Sequence, residues 1–124
     1  MPSSSVTVYH YAGCSTCKKA LKWLDAKGVR ATLVPIVERP PSAAELAKWV
    51  KASGLSARKF INVSGGSYRD LIAARGKAEV EALDDARLLA LLAADGKMIK
   101  RPLLVAGTKV LVGFREEDYE AAFG

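Results

Sequence analysis

The feature that most constrains this chain is a pair of cysteines, Cys14 and Cys17, set between a short β-branched run and a helical pattern. Val6 to His10 reads Val-Thr-Val-Tyr-His, the composition of a buried strand. Tyr11-Ala12-Gly13 follows as a loop. From Cys17 onward Ala20, Leu21 and Leu24 recur at helical spacing, and Gly28 stands where such a helix would stop. The cysteines therefore open a helix, one at its N-terminus and the other a turn later on the same face. Unpaired backbone N–H groups and the helix dipole favour an anion at that end, and Lys18 and Lys19 add positive charge. Such surroundings raise the thiolate fraction of a cysteine. Cys14, nearer the exposed end, is expected to be the nucleophile, and Cys17 the thiol that resolves a mixed disulfide at Cys14.

Two other roles would also suit such a pair. A closed zinc site needs four ligands, and the chain offers two cysteines and one histidine, so a carboxylate would have to complete it; no metal is expected. Two small buried hydrophobes would also suit the residue type, but the place of Cys14 at a helix start argues against that. His10, the sole histidine, either orients the thiolate loop or is a strand-end residue bonded to backbone. Cysteines this close together do not form the spread framework of a secreted domain, and in a reducing compartment they suit redox chemistry. Met1 to Ser5 does not read as a signal peptide, and no apolar run approaches the ~20 residues that span a bilayer. A cytoplasmic location and no membrane partner are expected. The net charge of +6 is compatible with an anionic substrate, an acidic partner or nucleic acid. No Lys/Arg block exceeds two residues and aromatics are sparse, so solvated helix faces explain the charge better than a nucleic-acid surface does.

The rest of the chain builds around this unit. Ala31 to Val37 is a second strand; Pro35 within it cannot donate to a ladder, which places it on an edge. A right-handed crossover makes the first two strands parallel. Ser42 and Glu45 form a capping box for a helix with Leu46, Trp49 and Val50 on one face and Gly54 at its end. Trp23 and Trp49 fit core or shielding positions. Leu55 to Arg75 suggests short helices around a break at Ser64-Gly65-Gly66-Ser67; Gly65-Gly66 reads as a plain turn, with an anion cradle as the alternative. Asp84 or Asp85 caps a helix carrying Leu88, Leu89, Leu91 and Leu92 that Gly96 ends. Leu103 to Val105 and Val110 to Val112, separated by Ala106-Gly107-Thr108-Lys109, form a β-hairpin. Glu116 to Phe123 is a last short helix. The order is βαβ, then helices over about 42–96, then ββα: one α/β domain over 1–124 with a four-stranded mixed sheet.

The stretch Tyr9-His10-Tyr11-Ala12-Gly13-Cys14-Ser15-Thr16-Cys17-Lys18-Lys19-Ala20 resembles the arsenate reductase-like family (ArsC/Spx/MgsR) of the glutaredoxin-coupled type. Phe60 to Leu71, Ile99-Lys100-Arg101-Pro102-Leu103 and Val112-Gly113-Phe114-Arg115 match in the same order. The resemblance implies a thioredoxin-like fold with a helical insertion before the hairpin, and it puts Pro102 at the family's cis-proline position. In arsenate reductases of this type three arginines hold the oxyanion. Arg101 matches the second; Arg115 lies close to the third, although the spacing after Gly113 differs; the first falls on or near Asn62. Arg69 resembles the arginine that reductase-like and regulator-like members carry in their Gly-rich segment. The typical arsenate reductase lacks the second cysteine and uses glutathione, whereas this chain has Cys17, as Spx-type members do.

These departures imply a thiol-dependent reductase, of arsenate or another thiol-linked substrate, cycling through Cys14 and Cys17. Glutathione, glutaredoxin or thioredoxin would be the electron donor, and glutathione a co-substrate with no bound cofactor. The alternative is an Spx/MgsR-like redox-sensing regulator that binds the RNA polymerase α-subunit and is switched by the Cys14–Cys17 disulfide; the acidic Glu116, Glu117 and Asp118 near the end of the chain weigh against it. A member with no retained chemistry is a third reading. Lys18, Lys19 and Lys22 either attract an anionic substrate or form a solvated helix face. A monomer without direct nucleic-acid contacts is expected, the Leu88 to Leu92 run being core rather than a dimer face.

Overall fold

The computed structural model describes residues 6–123; Met1 to Ser5 lie outside the described residues. Strand β1 (Val6–His10) leads through a three-residue turn to helix α1 (Ser15–Ala26), and β2 (Thr32–Pro35) follows. β2 is shorter than its β-branched composition suggests: after Pro35 the chain turns, with the Arg39 N–H donating to the Pro35 carbonyl at 2.9 Å. Helices α2 (Ala43–Ser53), α3 (Gly66–Arg75), α4 (Lys77–Glu81) and α5 (Asp85–Ala94) come next, with 3-10 turns at Ala57–Phe60 and Gly96–Met98. Strands β3 (Leu103–Ala106) and β4 (Lys109–Val112) and helix α6 (Glu116–Phe123) complete the order.

The sheet order is β2-β1-β3-β4, with β1 parallel to β2 and antiparallel to β3, and β3 antiparallel to β4. This is the thioredoxin-like arrangement, and β2, with its proline, lies on an edge as expected. Strand periodicity sorts the side chains to two faces. Val6, Val8, Leu104 and Ala106 pack against Ala20 and Leu24 of α1 and Tyr119 of α6. Leu103 and Val110 pack on the opposite face with Leu46, Trp49, Leu88 and Leu92 of the helical insertion. Trp49 meets the Tyr9 ring at 5.3 Å, and Trp23 packs beside Tyr119, so both tryptophans serve packing.

The caps follow the sequence closely. Ser42 and Glu45 exchange both bonds of the capping box, at 3.0 and 3.1 Å, and Gly54 closes α2 with φ 73°. Asp84, not Asp85, caps α5 by accepting from the Arg87 N–H at 2.9 Å. The hairpin turn is Gly107-Thr108 alone, because Ala106 and Lys109 still pair; Gly107 takes the positive φ that a two-residue turn demands. Arg58 donates to the carbonyls of Val80, Glu81 and Leu83, closing the end of α4 from 22 to 25 residues away.

Ser64-Gly65-Gly66-Ser67 overlaps a true break between two short helices, the 3-10 turn Ala57–Phe60 and α3, but the break runs over 61–65: Gly65 is the N-cap of α3, which starts at Gly66. One expectation needs correction. Gly96 is not the residue that ends α5, which stops at Ala94 with Asp95 as its cap. Glycine is needed at 96 for space: a Cβ there would collide with the carbonyl of Ile36 and press on the backbone of Val37. The sequence signal for a helix-ending glycine and for a close backbone approach is the same. Gly96→Ala is therefore expected to destabilise the fold by roughly 1–3 kcal/mol, the usual cost of forcing atoms into a filled interior. Urea unfolding followed by circular dichroism measures this, and an unchanged midpoint would show that the contact relaxes freely.

Candidate functional site

The loop Tyr11-Ala12-Gly13 is folded back by the Cys14 N–H, which donates to the Tyr11 carbonyl at 3.0 Å. Cys14 itself is the N-cap of α1, with φ −92° and ψ 114°. Its sulfur accepts the Cys17 backbone N–H at 3.3 Å. The position that usually belongs to a serine or aspartate oxygen is thus filled by a thiol. Cys14 is partly exposed; Cys17, one turn on, is 1 % exposed. Both are free thiols.

The two sulfurs are driven in opposite directions. Burial works to raise the Cys14 thiol, but hydrogen bonds from the Cys17 thiol and N–H, the Arg101 charge and the Thr16 N–H outweigh it and hold the group below its ordinary value. Cys17 is pushed up to about 12, first by burial and then by its hydrogen bond to Cys14 and the Cys14 charge, against a smaller lowering from the Tyr11 backbone and Arg101. The outer sulfur is therefore the first of the two to ionise, and the inner one keeps its hydrogen to higher pH.

A cleft of about 510 Å³ opens over Cys14. The loop and α1 start provide one wall through Tyr11, Gly13, Ser15 and Thr16. A second wall comes from a small antiparallel bridge between Ile61 and Ile99, locked by Asn62 N–H to Met98 O and Lys100 N–H to Phe60 O, each 2.8 Å. That bridge brings Asn62 beside Lys100 and Arg101. The third wall is the segment after β4: the Gly113 N–H donates to the Pro102 carbonyl at 2.8 Å, which sets Phe114 and Arg115 at the rim. The Arg101–Pro102 peptide bond is cis, at the position where the sequence resemblance put a cis-proline.

The residues singled out in the sequence are only partly united here. Cys14, Arg101 and Arg115 line the cleft together, with Cys17 beneath Cys14. The Arg101 guanidinium lies 4.6 Å from the Tyr11 ring, donates from Nη1 to the Lys97 carbonyl at 3.0 Å, and keeps a buried Nε with no partner. Arg115 is 70 % exposed, and its Nε and Nη2 both reach one Glu117 oxygen, at 3.2 and 2.7 Å. It reaches the cleft already engaged with a carboxylate. Asn62, on or near which the resemblance puts the family's first arginine, shares the Lys97 carbonyl with Arg101 at 3.4 Å and accepts from Ser64.

Arg69, Lys18 and His10 do not line the cleft. Arg69 is exposed on α3, whose partly buried Tyr68 and Leu71 pack against the core instead. Lys18 points to solvent from α1. His10 pairs with Pro35 at the sheet edge, and its carbonyl accepts the Ile36 N–H at 2.9 Å; none of the three is among the groups that shift Cys14. Sequence reasoning missed Tyr11, Thr16, Ser64 and Lys100 as cleft residues. The available signal was topological: a β1 next to β3 must bring the residues after one and before the other together. Among the described residues no group of three or more histidine, cysteine or carboxylate side chains is arranged to hold a metal, and no helix is long and apolar enough to cross a membrane.

With this geometry the comparisons are specific. Residues 9–122 match the ArsC family model. The chain belongs to the ArsC family. A curated relative, the uncharacterized protein YusI of Bacillus subtilis, is 44 % identical over 94 % of this chain and 96 % of its own length. The arsenate reductase of Escherichia coli K12 is 30 % identical over 86 % of this chain and 74 % of its own. Among solved structures, a putative ArsC family related protein from Bacteroides fragilis superposes with a TM-score of 0.88 at 38 % identity, covering 97 % of this chain and 98 % of that one. As an ArsC-family protein the chain is similar to arsenate reductases over both the dithiol half and the hairpin half.

The opposed shifts of the two thiols make a pH-dependent expectation. Alkylation by iodoacetamide should proceed in one phase with a midpoint below the ordinary thiol value of about 8.5. Cys14→Ser should abolish it, while Cys17 stays unmodified near neutral pH; mass spectrometry reads the site. A midpoint at or above the ordinary value would mean that the helix end does not hold a thiolate.

Proposed function

We propose that this ArsC-family chain is a thiol-dependent reductase in which Cys14 is the nucleophile and Cys17 the resolving thiol. The observation that carries this reading is the asymmetry of the pair: a partly exposed, more readily ionised sulfur at a helix N-terminus, opening on a cleft, with a buried thiol that holds its proton one turn behind it.

The chemistry balances within the pair. With a disulfide substrate, the Cys14 thiolate attacks one sulfur and the other leaves as a thiolate. Cys17 then loses its proton and attacks Cys14 Sγ, and the bound half leaves with the electron pair of the broken S–S bond. With arsenate, Cys14 displaces one oxygen as water; attack of Cys17 on Cys14 Sγ breaks the sulfur–arsenic bond, its electron pair stays on arsenic, and arsenite departs. In both cases two thiols become one disulfide and give up two electrons. Glutathione, glutaredoxin or thioredoxin would return them.

The protonated state of Cys17 fits this order. Part of what holds its proton is the Cys14 thiolate, through a hydrogen bond and its charge. Once Cys14 is bound to substrate that charge is gone, and the nearby Arg101 favours the Cys17 thiolate. The inner thiol is thus inert until the outer one has reacted. For an oxyanion, Arg101 supplies a planar fork, Arg115 would have to leave Glu117, and Asn62 offers an amide where the family has a cation. This favours thiol-linked substrates over tight arsenate binding.

Turnover of arsenate and of small disulfides, with glutathione plus glutaredoxin or with thioredoxin as donor, tests the reading. Activity is expected with at least one pairing. It should vanish in Cys14→Ser and fall on the order of tenfold or more in Cys17→Ser, where only an external thiol can resolve the intermediate. Absence of turnover with either donor would overturn the proposal, and redox-dependent binding to the RNA polymerase α-subunit in that event would point to a regulator.

A further inference from the structure

We propose that Tyr11 is a positioning residue whose ring face holds the Arg101 guanidinium beside the two thiols. This inference rests on the thiol chemistry proposed above but is tested separately from it. Tyr11 sits three residues before Cys14, and its carbonyl accepts the Cys14 N–H at 3.0 Å, so its backbone is fixed to the same turn that presents the sulfur. Its ring lies against Gly13: a Cβ at Gly13 would stand 3.2 Å from Tyr11 Cε2. The missing side chain at 13 lets the ring lie flat along the loop, and its face then meets Arg101 with the guanidinium carbon 4.6 Å from the ring centroid.

Arg101 needs such a partner. Among the described residues it forms no ion pair, only its Nη1 is hydrogen-bonded, to the Lys97 carbonyl, and its Nε is buried without a partner. An arginine paired with a carboxylate would have its charge neutralised where the thiols could feel it. A ring holds the guanidinium through its quadrupole and leaves the full positive charge in place. That charge is felt by both sulfurs, favouring the thiolate of each. Arginine also stacks on a ring face as lysine does not, so the pair fixes the plane of the fork as well as its position.

The test reads the thiolate directly and needs no substrate. The iodoacetamide pH profile of Cys14 is measured in wild type, Tyr11→Phe, Tyr11→Leu, Arg101→Met and the double variant Tyr11→Leu/Arg101→Met, with far-ultraviolet circular dichroism to confirm folding. Tyr11→Phe keeps the ring face and should leave the midpoint unchanged. Tyr11→Leu should move it up by roughly half a pH unit, about a threefold loss of thiolate below the midpoint. In the Arg101→Met background Tyr11→Leu should add no further shift, because the ring acts through the arginine. If Tyr11→Leu does not fold, Tyr11→Met removes the π face with similar bulk and takes its place. An unmoved midpoint in the leucine variant, an equal shift in the phenylalanine variant, or additive shifts in the double variant would each overturn the assignment. A wild-type Cys14 with an ordinary midpoint would instead overturn the proposed function; a lowered wild-type midpoint that ignores Tyr11 overturns only the role of the ring.

Discussion

The hydrogen bond from the Cys17 N–H to Cys14 Sγ is where folding and reactivity meet in this molecule. Every helix start leaves backbone donors to be satisfied. At α2 and α5 the acceptors are the oxygens of Ser42 and Asp84; at α1 the acceptor is sulfur. A neutral thiol is a weak acceptor and a thiolate a strong one, so the helix is best capped when Cys14 is charged. The same bond that starts the helix therefore favours the reactive form of the residue, and the helix end need not choose between stability and chemistry.

The rest of the fold delivers partners to that bond. Because β1 is central, with β2 on one side and β3 on the other, its C-terminal end is flanked by the entry to β3, where Arg101 and Pro102 lie. The packing of α1 then fixes the depth of each thiol: α1 buries Ala20 and Leu24 against Val8 and Leu104 and buries Cys17 on the same helix, and this rotation leaves Cys14 at the rim. The helical insertion contributes through one short bridge, Ile61 to Ile99, which turns a distant segment into a wall of the cleft. Most of the insertion is packing; within it, only the segment at Asn62, Ser64 and Gly65 lines the cleft.

Much of this was legible before the structure. The β1–loop–α1 unit, the proline-bearing edge strand, the capping box at Ser42 and the hairpin all rest on local signals within a few residues, and they stand with boundary changes of a residue or two. The placement of Cys14, Arg101 and Arg115 around one cleft followed from order along the chain and from family likeness. What local signals could not carry was the direction of each side chain at the site. Arg69, Lys18 and His10 have the right chemistry but do not line the cleft, because helix rotation and strand pleat, not residue type, decide what a side chain meets. Arg115 has the right location but a nearer carboxylate in Glu117, two residues on. Tyr11 looked like loop filler because an aromatic in a loop has no periodicity to betray a role, and Gly96 looked like a helix stop because closeness to Ile36 is a contact across 60 residues of sequence.

Under the proposed thiol chemistry, the difference in depth between the two thiols would also set the fate of the protein under oxidative stress. A peroxide entering the cleft meets Cys14 first, and the sulfenic acid formed there has a thiol one helical turn behind it. Condensation to the disulfide releases water and removes the sulfur from the path to sulfinic and sulfonic acids, which donor thiols do not reverse. Cys17, buried on α1, is out of reach of the peroxide itself. The burial that slows its ionisation thus also preserves it as an intact reserve, so damage to the pair stops at a rung from which it can be repaired.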